Sequence, residues 1–234
     1  MPTINASKYG FMTNSATGTG AFATARGAST ASGTAFNQPT GTQTTTSYNI
    51  GFSSKGDSAT LKRSWWAFDV TTYQSGYTIT DLQLQFDPTT NTSTNFPIIV
   101  VASTAQGNAN SNLTQSDWDA FDSGTTYTTT ATTNYWPDTN NVSTLDLNST
   151  AISAFSTGYL KICIMWVFDY NGIGSLVTAN GTAYQNYNYT PRITFSAAAS
   201  GWSGGDINTV TNNIDNKVNT IGFSNIEAVN TVSS

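Results

Sequence analysis

The chain has 234 residues, of which 8 are Lys or Arg and 13 are Asp or Glu, so only 9% are charged and the net charge is −5. Histidine is absent and Cys163 is the single cysteine, which excludes a Ser-His-Asp triad, imidazole acid–base chemistry, an internal disulfide and a thiolate zinc cluster. A pI near 4.3 without a basic run argues against nucleic acid as a ligand.

Thr, Ser and Asn number 42, 26 and 24, about 39% of the residues, whereas Glu occurs once. β-branched Thr, Val and Ile favour strands, and the shortage of Glu, Lys and Leu removes the usual helix formers. With 12 Phe, 11 Tyr and 6 Trp the chain can still build a core, so an ordered all-β protein is expected. Seven N-x-S/T sequons occur, as many as random placement of these residues produces.

The opening MPTINASKYGFM has no basic stretch followed by an apolar one, so no secretory signal peptide is expected. No run approaches the roughly 18 apolar residues of a membrane-spanning helix, so no membrane partner is expected either. Residues 1–46 are Gly/Ala/Ser/Thr-rich with isolated anchors at Tyr9, Phe11, Phe22 and Phe36, a composition that predicts an extended arm or edge strands. Signals sharpen from Tyr48. In LKRSWWAFDV, Trp66, Phe68 and Val70 share one face, and Arg63, Trp65, Ala67 and Asp69 share the other. TITDLQLQF alternates Leu82, Leu84 and Phe86 with Gln83 and Gln85, the pattern of a half-buried antiparallel strand. PIIVVAS reads as a central strand with Pro97 at its start.

Two short helices are predicted, one capped by Thr114 with Asp117 three residues on, the other capped by Asn148 or Ser149. YLKICIMWVF places Leu160, Ile162, Ile164, Trp166 and Phe168 on one face, and its other face is too apolar to be bare, so cover on both sides is expected, from loops or a neighbouring subunit. PRITFSA is the last strand. The whole predicts an antiparallel, jelly-roll-like β-sandwich over residues 47–197.

Residues 198–234 form a tail with an internal repeat. The element [IV]-N-T-[VI] begins at Ile207, Val218 and Val229, a period of 11 residues. Its apolar row, Ile207, Val210, Ile214, Val218, Ile221, Ile226, Val229 and Val232, has mostly helical spacing, and an 11-residue period corresponds to a right-handed supercoil. Asn, Thr and Val are weak helix formers, so an amphipathic helix and an extended arm both remain open. In either form the row needs a partner surface, which makes these residues the candidate assembly element.

Among candidate sites, Asp117, Asp119 and Asp122 could hold Ca²⁺ or serve as a carboxylate pair, but placement at a helix N-terminus accounts for them more simply. Asp169 and Asn171 in FDYNGIG read as an Asx turn rather than a metal site. No metal, cofactor or catalytic residue is assigned, and no enzyme activity is expected. Trp118, Trp136, Tyr184, Tyr187 and Tyr189 fall in predicted helix or loop positions, where they either pack and assemble or stack on sugar rings. Cys163 reads as a small core residue, and Lys62 with Arg63, next to two tryptophans, as cover for a sandwich edge in preference to a cation–π pair.

The succession RSWWAFDVTTYQSGYTITDLQLQF, LTQSDWDAFDSGTTY, VSTLDLNSTAISAF, YLKICIMWVFDYNG and YTPRITFS resembles a β-sandwich domain of bacteriophage structural and tail proteins, similar to DNRLRE-like and carbohydrate-binding-module-like sandwiches. The resemblance covers about residues 48–196. INTV, VNTIG and VNTV resemble the I-N-G-V repeats that end many phage virion proteins, with Thr in place of Gly at 209, 220 and 231. The resemblance implies a virion component: a capsid decoration, head-fibre or tail-fibre protein that self-assembles through its arms. Its expected partners are copies of itself and other virion proteins. The alternative is an adhesion module for a host-surface glycan. A cellular extracellular filament is a third reading, which the missing signal peptide disfavours.

Overall fold

The strand patterning read from the sequence resolves into two antiparallel sheets around one hydrophobic core. The computed structural model describes residues 1–38, 48–55, 58–73, 76–88, 96–128, 135–136, 142–172, 181–185 and 189–199. In chain order the elements are β1 (Thr3–Asn5), β2 (Lys8–Thr17), α1 (Ala21–Arg26), β3 (Phe36–Gln38), β4 (Tyr48–Lys55), β5 (Ser58–Asp69), β6 (Tyr77–Phe86), β7 (Phe96–Ser103), β8 (Phe121–Thr126), β9 (Tyr135–Trp136), β10 (Ser143–Asp146), α2 (Ser149–Phe155), β11 (Tyr159–Trp166), α3 (Val167–Asn171), β12 (Gly181–Gln185) and β13 (Arg192–Ala199). Single 3-10 turns occupy Thr71–Tyr73 and Gln115–Asp119.

The smaller sheet has the order β1-β13-β6-β10. It is half-buried as its alternation predicts: Leu82, Leu84 and Phe86 of β6 and Ile193 and Phe195 of β13 point into the core. The larger sheet carries β12-β4-β5-β11-β7-β8, with β2 and β3 added along the other edge of β5 and β9 paired with β7. Trp66 faces the smaller sheet and meets Phe86 at 6.2 Å between ring centroids. Phe155 of α2 meets Phe195 at 4.9 Å and Tyr73 at 6.5 Å, closing one end of the space between the sheets.

β5 and β11 are buried on both faces: Ser64 to Phe68 and Ile162 to Trp166 are all inaccessible or nearly so. The cover expected over the second face comes from this chain itself, through α1, the Gln115–Asp119 turn and α3. Both predicted caps form. Thr114 and Asp117 make a reciprocal capping box, and Asn148 Oδ1 accepts from the amides of Thr150 and Ala151.

Three expectations are corrected. Residues 1–38 are not an arm. β2 pairs with β5 along its ten residues from Lys8↔Ala67 to Thr17↔Ser58 and buries Tyr9, Phe11 and Met12, whereas β1 and β3 are short edge strands, the alternative the composition allowed. Small residues there serve close packing, since a Cβ on Gly10 would lie 1.9 Å from the carbonyl oxygen of Phe36 in β3. Second, β11 stops at Trp166 and the chain turns into α3, so Phe168 is not part of the strand's apolar face. Gly172, at φ 70°, ends that helix in a conformation that suits glycine. Third, β13 runs to Ala199 and the chain divides by contact after Ser200, slightly beyond the break expected at 197. The assembly residues Ile207, Val210, Ile214, Val218, Ile221, Ile226, Val229 and Val232 lie outside the described residues.

Truncating Phe155 to Ala removes a fully buried ring shared with Phe195 and Tyr73, and is expected to cost about 3–5 kcal/mol, read as a lowered urea midpoint with unchanged slope.

Candidate functional site

A polar side-chain cluster lies on the second face of the larger sheet. Arg63 projects from β5 with Trp65 and is 1% exposed, so it is a core residue and not the edge cover its sequence position suggested. Its Nε donates to Asp169 Oδ2 at 2.7 Å and its Nη2 to Asp169 Oδ1 at 2.8 Å, a bidentate ion pair with a carboxylate that is itself 2% exposed. Nη1 donates to the Trp118 carbonyl at 3.0 Å, with Asp119 Oδ1 at 3.4 Å, and Nη2 donates to the Arg26 carbonyl at 3.2 Å. The guanidinium lies 4.1 Å from the Trp118 ring centroid and 5.0 Å from that of Phe121. Arg26 in turn donates from Nε to the Asp169 carbonyl at 2.5 Å and from Nη2 to the Tyr170 carbonyl at 3.0 Å. One cation thereby ties β5 to α1, to the Gln115–Asp119 turn and to α3.

Burial opposes the Arg63 charge, but the Asp169 carboxylate outweighs it by charge and hydrogen bonding and holds the guanidinium pKa above its ordinary value. Cys163 sits in the same layer, fully buried. Burial raises its thiol pKa far above the usual range, with the Arg63 charge opposing. The neutral thiol is therefore favoured by folding; this contribution is complete below the unfolded thiol's pKa and declines as pH rises above it.

The remaining acidic candidates are engaged internally. Asp117 Oδ2 accepts from the Thr114 amide at 2.8 Å. Asp122 accepts from the Gly124 amide at 2.8 Å and from Thr125 Oγ1 at 2.5 Å, and these bonds lower its pKa. Asp169, read as an Asx-turn residue, is instead the buried partner of Arg63, with Asn171 exposed at the end of α3. Among the described residues, no group of three potential metal ligands converges.

Trp118 is corrected as a sugar-stacking candidate, because it is 0% exposed and packed between Arg63 and Trp65. Tyr187 and the side chains of Trp136 and Tyr184 lie outside the described residues. Tyr189 does reach a surface. It precedes β13, is half-buried, and its hydroxyl donates to Gln85 Oε1 at 3.2 Å on the outward face of the smaller sheet. Arg192 Nε donates to the same oxygen, and the Arg192 guanidinium lies 5.1 Å from the Tyr189 ring centroid. Beside them Gln83 Nε2 donates to Asp146 Oδ1 at 2.7 Å. Sequence reasoning placed Gln83 and Gln85 on an outward face but gave them no role; the signal was the alternation in β6.

Compared with known proteins, the chain matches no family model and no curated protein.

Arg63→Met is expected to destabilise by about 3–5 kcal/mol, because it removes the bidentate partner of a buried Asp169 and leaves only the partly exposed Arg26 guanidinium, 4.0 Å away, as counter-charge. The double variant Arg63→Met/Asp169→Leu should regain much of that loss, and a double-mutant cycle from urea melts measures the coupling. The Cys163 thiol is expected not to react with a thiol reagent at pH 8 until urea unfolds the chain, with reaction and unfolding midpoints coinciding.

Proposed function

We propose that the chain is a non-enzymatic structural protein of a bacteriophage virion, a capsid-decoration, head-fibre or tail-fibre component that assembles through its C-terminal repeats. The observation that carries this reading is the 11-residue recurrence of [IV]-N-T-[VI] beyond Ser200, where a second unit of the chain begins. An apolar row in a segment of some 30 residues is too small to build a core of its own and calls for association with other chains. Residues 1–38 contribute strands to both sheets, which supports assigning assembly to the tail rather than to both termini.

The sandwich supports a passive role. Asp117, Asp122 and Asp169, three of the carboxylates that the sequence singles out, are each committed to bonds within the chain instead of standing open to a substrate. A second reading, an adhesion module for carbohydrate, is favoured by the hydrogen-bonded Tyr189, Arg192 and Gln85 group at the outward sheet face. Fibres both assemble and adhere, so the two readings are compatible.

Light scattering of the full chain beside a 1–200 truncation tests assembly. The full chain is expected to be an oligomer whose mass depends on residues 201–234, and the truncation a folded monomer. Equal masses at all concentrations would remove the tail as a self-assembly element.

A further inference from the structure

The four-stranded sheet buries one face and turns the other outward. Its register puts Asn5, Arg192, Gln85 and Thr144 in one cross-strand row, and Thr3, Thr194, Gln83 and Asp146 in the next. Directly paired residues of antiparallel strands share a face, so both rows project away from the core, alternating with inward Ile4, Ile193, Leu84 and Leu145. Strands lie about 4.8 Å apart, so four of them present a polar strip about 14 Å across.

Hydrogen bonding fixes the orientation of both glutamine amides. Gln85 faces Arg192, which can only donate, so its oxygen must take that bond, and Tyr189 donates to the same atom. The Gln85 amino group is left as a donor with no partner among the described residues. Gln83 faces the Asp146 carboxylate, which can only accept, so Gln83 donates and its own oxygen is left as an acceptor. Asp146 keeps its second oxygen as another. A fixed donor thus stands two residues along one strand from a fixed acceptor, with a carboxylate oxygen on the neighbouring strand. Vicinal hydroxyls of a sugar ring both donate and accept, and so suit such an alternation.

The rest of the face narrows the ligand class. Among the described residues the two rows and the adjoining Asp81–Ser196 pair carry one cation, Arg192, against Asp81 and Asp146, which provides no field for a phosphate or sulfate polymer. Every side chain of those rows is polar, so the face lacks the apolar centre of a protein–protein interface.

We propose that this outward face binds a neutral polysaccharide, with Gln83, Gln85 and Asp146 contacting its hydroxyls and Arg192 and Tyr189 acting as positioning residues that hold the Gln85 amide. The proposal gives the adhesion reading above a place on the molecule and is independent of tail-mediated assembly. Affinity electrophoresis of the full chain in gels containing a soluble β-glucan, an α-mannan, a galactan or the anionic polymer alginate tests it. At least one neutral polymer is expected to retard the protein, and alginate is not. Gln85→Glu keeps the Arg192 contact but removes the donor, and Gln83→Leu removes the acceptor; each should weaken retardation about ten-fold or more, while Asn108→Ala in a remote exposed loop should not. Circular dichroism checks that the variants fold, and Gln85→Glu is the more secure because an ion pair replaces a hydrogen bond. Retardation that persists in both variants would overturn the site while leaving the adhesion reading standing. Retardation by alginate alone would also overturn the site while leaving carbohydrate adhesion standing, and retardation by none of the polymers would overturn both.

Discussion

The double burial of β5 and β11 is the constraint on which the rest of this structure depends. A strand whose two faces are both apolar cannot end a two-layer sandwich, so the chain must supply a third layer over the Trp65 and Cys163 side. That layer is built from short pieces: a six-residue helix, a single 3-10 turn and a five-residue helix. None is long enough to be stable by itself. Arg63 draws them together because its five donors and planar charge can serve several segments at once, and the Asp169 carboxylate neutralises it where no water can. Such a pair contributes less to net stability than to specifying one arrangement of the cover, since removing either partner alone strands a charge in the core.

The two sheets consequently differ in kind. In the larger sheet, outward positions near the centre are consumed by packing, and Trp118, which looks available by sequence, is the ring beneath Arg63. In the smaller sheet, the outward positions stay wet and polar and are organised by amide, guanidinium and carboxylate contacts. A chain with so few charges has few such networks, which is why the proposed glycan face and the cover clamp between them use Arg26, Arg63 and Arg192.

Much of the fold was legible in the residues. The alternation in TITDLQLQF, the continuous run at PIIVVAS and the apolar two-sided strand at YLKICIMW correspond to β6, β7 and β11, and Thr114 and Asn148 cap the turns they were assigned. Residues 1–38 were misjudged because low-complexity composition hides a strand whose small residues, Gly10 among them, permit close approach to neighbouring backbone. The strand end at Trp166 was missed because Val167 and Phe168 continue the apolar run while the backbone changes direction to deliver Asp169 to Arg63.

Local sequence by itself determined the class, the strands with their inward sides, the caps and the exclusion of histidine and disulfide chemistry, because periodicity and residue type act over a few residues. Only the tertiary structure decided which polar groups face each other: Arg63 and Asp169 are separated by 106 residues and Gln85 and Arg192 by 107. Pairings at that separation follow from strand order and register, which local propensity does not encode, and it is those pairings that turn an anonymous Asp into a buried counter-ion and two surface glutamines into an oriented donor and acceptor.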